Sequence, residues 1–224
     1  MHRNPSTLQR APARHERPIL TVAGLTRSFG NRHILRSFDL TIGAGDRVAV
    51  CGPNGSGKTT LLRCIAGTLT PSEGSVQIAE YETGTLEARR LSGISFSQER
   101  SFYLRLSGRE NLFFFARMRG VGAAEARRRL KSLEEELELD LILAQRVDRC
   151  STGMIQQLAF ARALIDDPAL LVLDEPTRSL DDEAVGRLWR ALERRAHTGL
   201  LIATHNHDDI ERCDRRIDLA PPES

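Results

Sequence analysis

Short apolar runs bounded by turn residues recur along the chain and predict β-strands. Several of them, such as residues 170–174, are apolar without alternation, which is typical of strands buried on both faces of a parallel sheet. Six runs combine Val, Ile or Leu with turn residues at their ends: 19–22, 46–51, 75–78, 93–96, 170–174 and 200–204.

Segments with helical periodicity lie between these runs. In residues 123–137, Leu130, Leu133 and Leu137 recur at helical spacing, and charged residues occupy other positions, which predicts an amphipathic helix with a solvated face. The pattern predicts five helices: 58–66, 108–119, 123–137, 153–165 and 182–195.

Strands and helices alternate at both ends of the chain, and a mostly helical block covers about residues 99–162. This order predicts an α/β fold with an inserted α-helical subdomain. We expect one domain over residues 19–224, in which residues 19–98 and 163–224 form the core.

The length and charge of the chain argue against two classes of protein, those that span a membrane and those that bind nucleic acid. The longest apolar stretches of this 224-residue chain fall far short of the roughly 18 residues that a membrane span needs, so we expect no direct span. Residues 1–18 hold four Arg and one Glu, a charge of +3, and this leaves −1 for the rest of a chain of net charge +2. A near-neutral domain argues against nucleic acid as a partner, and residues 1–18 are predicted to be a disordered basic leader.

The four cysteines show no C-x-x-C pairing, which favours reduced thiols in a cytosolic protein.

The most specific feature is a phosphate-binding loop between a predicted strand and a predicted helix. Its glycines let backbone N–H groups surround phosphate oxygens, and the following helix presents its positive N-terminus to the same anion. Of 32 basic residues only Lys58 and Lys131 are lysines, so a lysine in this loop indicates a need for a compact ammonium group. The loop matches G-x-x-x-x-G-K-[ST] at Gly52, Pro53, Asn54, Gly55, Ser56, Gly57, Lys58 and Thr59, and Thr60 is a further candidate for ATP binding.

Two acids end the apolar run 170–174. Asp174 is placed to hold Mg²⁺ together with the Thr59 hydroxyl, while Glu175 is placed to orient or deprotonate an attacking water. A strand that merely exits into an acidic turn is the alternative interpretation of these two acids.

The order of these motifs resembles the ATPase subunit of an ATP-binding cassette (ABC) transporter over about residues 19–213. The resemblance implies a P-loop NTPase core with a mainly parallel sheet, an antiparallel N-terminal β part and the inserted helical subdomain. It also implies that ATP is bound and hydrolysed with Mg²⁺.

Further residues match this family's motifs. Phe29 lies where the family places an aromatic ring against adenine, although a core phenylalanine is an equal alternative. Gln98 resembles the glutamine that touches Mg²⁺ and the attacking water. His205 directly follows the run 200–204 and resembles the switch histidine. The implied catalytic set is therefore Glu175, His205, Gln98 and Lys58.

The segment 150–154 resembles the family's Leu-Ser-Gly-Gly-Gln signature but keeps only Ser151 and Gly153. These two would receive the γ-phosphate of a nucleotide bound to another copy, whereas Thr152 and Met154 depart from the pattern. Asp181 is similar to the acid of the loop through which two subunits touch.

The resemblance implies a homodimer that binds two ATP head to tail and drives a polytopic membrane permease from the inner face of the cell membrane. Residues 100–112 are similar to ATPases paired with compact exporter subunits, and one of Phe113, Phe114 and Phe115 is predicted to line a docking groove. A soluble cassette ATPase in a non-transport role, a metabolic P-loop kinase and a regulatory module without turnover are the alternatives.

Overall fold

Within residues 18–96 and 102–221, which the computed structural model describes, nine strands and eight α-helices form a layered α/β fold. The strands are β1 (Leu20–Phe29), β2 (Arg32–Ile42), β3 (Arg47–Cys51), β4 (Glu73–Ile78), β5 (Tyr81–Glu82), β6 (Ser92–Ser95), β7 (Leu170–Asp174), β8 (Gly199–Ala203) and β9 (Arg215–Asp218). The helices are α1 (Lys58–Ile65), α2 (Leu86–Leu91), α3 (Gly108–Met118), α4 (Ala123–Leu137), α5 (Asp140–Ala144), α6 (Thr152–Leu164), α7 (Asp182–Glu193) and α8 (His207–Glu211).

The strands form two sheets. The first has the order β2-β1-β4-β5 and is antiparallel, whereas the second has the order β6-β7-β8-β3-β9 and is parallel throughout. The expected combination of a mainly parallel sheet with an antiparallel N-terminal part is confirmed.

Two hydrophobic cores lie on opposite faces of the parallel sheet. Along β7, Leu171 and Leu173 belong to the core that includes residues of α3 to α7. Leu170 and Val172 belong to the core that includes residues of α1 and the antiparallel sheet. Successive strand residues point to opposite faces, so an unbroken apolar run is needed where both faces are covered. This explains why the run 170–174 does not alternate.

The helical insertion enters between β6 and β7 and contains α3 to α6 with a short 3-10 helix (Val147–Arg149). Its first helix begins at a capping box, in which the Ser107 hydroxyl accepts from the backbone N–H of Glu110 and the Glu110 side chain accepts from the backbone N–H of Ser107. In α4, Leu130, Leu133 and Leu137 are buried as their spacing predicted. The proposed start of the insertion near residue 99 lies outside the described residues, as do residues 1–17 of the predicted leader.

Six elements were not predicted from the sequence: β2, β5, β9, α2, α5 and α8. Strands β2 and β9 lie at sheet edges, where one side is exposed and polar residues are tolerated, so their sequences lack a clear apolar run. The three helices are only five or six residues long and are too short to display helical periodicity.

Candidate active site

Three loops with chemically active side chains meet at one edge of the parallel sheet. Strand β8 lies between β7 and β3 and pairs with both in parallel, so the segments that follow these three strands emerge side by side. They are the phosphate loop after β3, Glu175 after β7 and His205 after β8. The carboxyl edge of a parallel sheet is where ligands bind in open α/β folds.

The phosphate loop joins β3 directly to α1, as its motif requires. Gly55 and Gly57 have φ values of 82° and 100°, in the left-handed region that favours glycine. A Cβ on Gly52 would lie 2.6 Å from both the Leu219 carbonyl oxygen and the Ser56 hydroxyl, so any side chain there would force these groups to shift.

Two polar side chains of this loop fit a phosphate group. The buried Ser56 hydroxyl has no hydrogen-bond partner among the described residues. The Lys58 ammonium donates to the carbonyl oxygens of Gly52 and Pro53, at 2.6 and 3.2 Å, which holds it along the loop. Pro53, Asn54, Gly55 and Thr59 are exposed, and Thr60 is half-buried.

The acids that end β7 have different environments. Asp174, the last residue of the strand, is only 5% exposed. Glu175 adopts a left-handed backbone conformation with a φ of 49°, and its N–H donates to the carbonyl oxygen of Ala203 at 2.8 Å. This turn fixes Glu175 against the end of β8, and such backbone strain is often found at functional sites.

Glu175 and His205 form a direct pair. The Nδ1 atom of His205 lies 2.8 Å from the Oε1 atom of Glu175, and the imidazole is largely exposed while the carboxylate is largely buried. An ionised carboxylate only accepts hydrogen bonds, so Nδ1 carries the proton in this contact and Nε2 is left for another partner.

Gln156 is a residue of this site that the sequence interpretation missed. Its amide nitrogen lies 3.4 Å from the carbonyl oxygens of Glu175 and Pro176, and so connects α6 to the backbone that carries Glu175. Gln156 is buried, whereas the adjacent Gln157 is only half-buried, and the sequence alone does not distinguish the two glutamines.

Asp174 and Thr59 are the two predicted Mg²⁺ ligands that lie within the described residues. No group of three or more His, Cys, Asp or Glu within the described ranges is arranged to hold a metal ion. A magnesium ion bound through a few protein oxygens together with substrate phosphates does not need such a group. Gln98, the third predicted ligand, lies outside the described residues.

The signature segment lies at the start of α6. The Ser151 hydroxyl accepts from the backbone N–H of Met154 at 3.2 Å and so caps the helix, while Ser151 itself is exposed. A Cβ on Gly153 would lie 2.5 Å from the carbonyl oxygen of Ser179, so glycine is needed for the close approach of the first turn of α6 to the turn that contains Ser179. Asp181 caps α7 by accepting from the backbone N–H of Ala184 at 2.8 Å.

The signature and the phosphate loop have no hydrogen bond in common within the described part of the chain. Among residues 18–96 and 102–221, no hydrogen bond joins residues 151–154 to residues 52–60.

Phe29 ends β1 and is 51% exposed, and the Arg27 guanidinium lies 4.5 Å from the centroid of its ring. An exposed ring is not a core phenylalanine, so that alternative is wrong.

The three aromatic residues of α3 are all half-buried but have different neighbours. Phe113 and Phe115 pack against the helical core, whereas Phe114 makes an edge contact with Tyr103, whose side chain is 49% exposed. Leu104, beside Tyr103, is 59% exposed. We call Tyr103, Leu104 and Phe114 the aromatic patch. Arg100 and Ser101, which begin the segment similar to exporter ATPases, lie outside the described residues.

Known proteins are similar to this chain over most of its length. The family model for ABC transporters matches residues 35–178. The Nod factor export ATP-binding protein I of Rhizobium johnstonii is 36% identical over 201 residues, which cover 88% of this chain and 64% of the relative. The sulfate/thiosulfate import ATP-binding protein CysA of Methylococcus capsulatus is 38% identical over 210 residues, which cover 89% of this chain and 60% of the relative. The chain thus spans less than two thirds of the length of these curated relatives.

Solved structures show the same fold. An ATP-binding subunit of an ABC transporter superposes with a TM-score of 0.82 at 29% identity and covers 90% of this chain and 85% of its own. A dimeric ATP-binding cassette in a post-hydrolysis state, bound to ADP and Pi, gives a TM-score of 0.78 at 26% identity and covers 89% and 94%. None of the helices in the described part of this chain has the length and apolar content that a membrane crossing requires. From the matched family model, the site and the fold together, the chain belongs to the ABC transporter family of ATP-binding proteins.

Proposed function

We propose that this chain is the ATP-hydrolysing subunit of an ABC transporter and that it drives a separate membrane subunit. The observation that carries the proposal is the Glu175–His205 pair, which the sheet places at the same edge as the phosphate loop. Residues 19–224 would form one ATPase domain, with about 99–162 as its helical subdomain.

ATP binding is assigned to the phosphate loop and Phe29. Backbone N–H groups of the loop, the Ser56 hydroxyl and the start of α1 would hold the phosphates, and Lys58 would leave its loop carbonyls to reach the β- and γ-phosphates. The exposed face of Phe29 would stack on adenine, while Arg27 covers the ring from another side.

Hydrolysis is assigned to Glu175 and His205. Glu175 would accept a hydrogen bond from the attacking water, while His205, which contacts that carboxylate, would offer Nε2 to the γ-phosphate. Thr59, Asp174 and Gln98 would hold Mg²⁺. The ion would neutralise charge that develops on the phosphate oxygens.

We propose that two copies bind two ATP head to tail. The support is the exposure of Ser151, together with the absence of hydrogen bonds between residues 151–154 and the phosphate loop in the described part of the chain. The start of α6 would then meet the γ-phosphate bound by the other copy, and Asp181 would lie near the contact between the two copies.

The membrane partner is proposed to be a polytopic permease, which would hold this chain at the inner face of the cell membrane. The aromatic patch is the proposed docking surface, because Tyr103 and Leu104 are exposed at the start of the helical insertion and Phe114 packs against Tyr103. We propose export as the direction of transport, which the Nod factor export relative supports and the import relative opposes. Inside-out vesicles that contain the complex would accumulate substrate on addition of ATP if the protein is an exporter, and would lose it if it is an importer.

Replacing Glu175 with Gln tests the ATPase proposal. We expect kcat to fall at least about a hundredfold, because the amide is a poor proton acceptor, while ATP binding persists and ATP-bound dimers accumulate on gel filtration. Glu183→Gln is the matched control, since its carboxylate is highly exposed on α7 and should leave kcat unchanged. ATP hydrolysis at the parental rate by Glu175→Gln would contradict the proposal, and co-purification without any membrane protein would favour a non-transport role.

A further inference from the structure

Asp209 is a fully buried acid that the proposed mechanism does not use. It lies on α8, and its carboxyl group accepts three hydrogen bonds from neutral donors. The Oδ2 atom accepts from the hydroxyls of Thr177 and Thr204, at 2.6 and 3.2 Å, and the Oδ1 atom accepts from the indole N–H of Trp189 at 3.1 Å. Burying a carboxyl group is costly, so its presence at this point calls for a role.

The partners of Asp209 lie on the two segments that carry the catalytic pair. Thr177 follows Glu175 by two residues, and Thr204 directly precedes His205. One carboxyl oxygen therefore joins the loop after β7 to the end of β8. The third partner, Trp189, is buried on α7, so the junction is tied to the helical side of the core as well.

The hydroxyl of Thr204 has two acceptors within reach. It lies 3.2 Å from Asp209 Oδ2 and 3.5 Å from Glu175 Oε2, and it accepts from the backbone N–H of Asn206 at 3.0 Å. A hydroxyl has a single proton to donate. While the Thr204 hydroxyl donates to Asp209, it does not donate to Glu175 Oε2, which remains free to accept a hydrogen bond from another group.

We propose that Asp209 is a positioning residue for ATP hydrolysis. By accepting the Thr204 proton, it keeps Glu175 Oε2 open to the attacking water, while the bonds from Thr177 and Trp189 hold the Asp209 carboxyl group in place. This inference rests on the role proposed above for Glu175.

The isosteric change Asp209→Asn tests the inference. If the Asn oxygen accepts from Trp189, the amide N–H₂ faces Thr177 and Thr204, and these hydroxyls can no longer donate there. The Thr204 proton then turns to Glu175 Oε2, where it competes with water. We expect kcat to fall about tenfold, with KM for ATP changed less than about twofold, because the change acts on the chemical step and not on nucleotide binding. The control is Asp208→Asn, which makes the same charge change at an exposed neighbour and should leave kcat unchanged.

A second variant separates positioning from a merely structural role. In Thr204→Val the hydroxyl is absent, so adding Asp209→Asn should cause no further loss of kcat. A further loss of about tenfold in the double variant would overturn the inference, because Asp209 would then act without Thr204. Thr204→Val alone should keep kcat within about threefold, and a loss of tenfold or more in this single variant would overturn the inference even if Asp209→Asn does not fold.

The outcomes separate this inference from the proposed function. Full activity in Glu175→Gln would contradict the proposed function itself. Loss of activity in Glu175→Gln together with a parental kcat in folded Asp209→Asn would overturn only the role of Asp209.

Discussion

The imidazole Nδ1 of His205 lies 2.8 Å from the Oε1 atom of Glu175, although the two residues are 30 positions apart in the chain. The contact follows from strand pairing, because Asp174 and Ala203 are register partners in the adjacent strands β7 and β8. Glu175 directly follows Asp174, and His205 lies two residues after Ala203. The geometry of the pair is therefore set by the sheet and does not depend on long loops.

His205→Ala should impair hydrolysis. We expect kcat to fall about a hundredfold and KM for ATP to change little, since the imidazole positions Glu175 and does not hold the nucleotide base. Steady-state ATPase assays would measure both constants. His207→Ala is the matched control, because His207 is equally exposed and pairs only with Glu211 in the same short helix. Equal kcat values for the two variants would show that the Glu175–His205 contact has no role in turnover.

Lys58→Ala should weaken ATP binding. Charge-assisted hydrogen bonds to phosphate are lost, which we expect to lower affinity by about tenfold to a hundredfold. Binding of a fluorescent ATP analogue would measure the change. The comparison variant is Lys131→Ala, since the only other lysine of the chain is exposed on α4 and lies 3.9 Å from Glu135. If both variants bound ATP equally, Lys58 would have no specific part in the site.

Gly153→Ala should disturb both stability and turnover. The new Cβ would meet the Ser179 carbonyl oxygen at 2.5 Å, and the displacement of backbone should cost about 1–3 kcal/mol. Thermal unfolding and ATPase assays would detect the two effects. Gly186→Ala in α7 is the control, because its Cβ would meet only the end of the Arg190 side chain and should stabilise the helix by about 0.5–1 kcal/mol. Parental stability and kcat in Gly153→Ala would show that the close approach is not required.

Cysteine alkylation should report on burial and on the dimer. Burial raises the pKa of Cys64 to about 11 and that of Cys213 to about 12, so at pH 8 their reactive thiolates are scarce and become more abundant only as the pH rises. We expect iodoacetamide to modify Cys150, which is only partly buried beside the signature, before these two. Mass spectrometry of digested protein would identify the order.

The same reagent tests the head-to-tail arrangement. In a Glu175→Gln background, saturating ATP should slow modification of Cys150, because the other copy covers the signature. Modification at the same rate with and without ATP would contradict that arrangement. Faster modification of Cys64 than of Cys150 would contradict the burial argument.

Local patterns predicted most of the parallel sheet and the long helices. The run 170–174 and the leucines of α4 could be interpreted directly, because burial on two faces or on one face imposes a recognisable spacing of apolar residues. The edge strand β2 and the five-residue helix α8 were not recognised, since their positions are stabilised by contacts with distant segments.

The sequence by itself determined the phosphate loop, the acids after β7 and the histidine after β8, because each is a local motif whose chemistry depends on neighbouring residues. Only the tertiary structure decided which of these side chains touch. The Glu175–His205 contact, the close approach of Gly153 to Ser179 and the bonds of Asp209 with Thr177 and Trp189 all join residues far apart in the chain. Spacing along a sequence contains no information on such contacts until strand order and helix packing have brought the segments together.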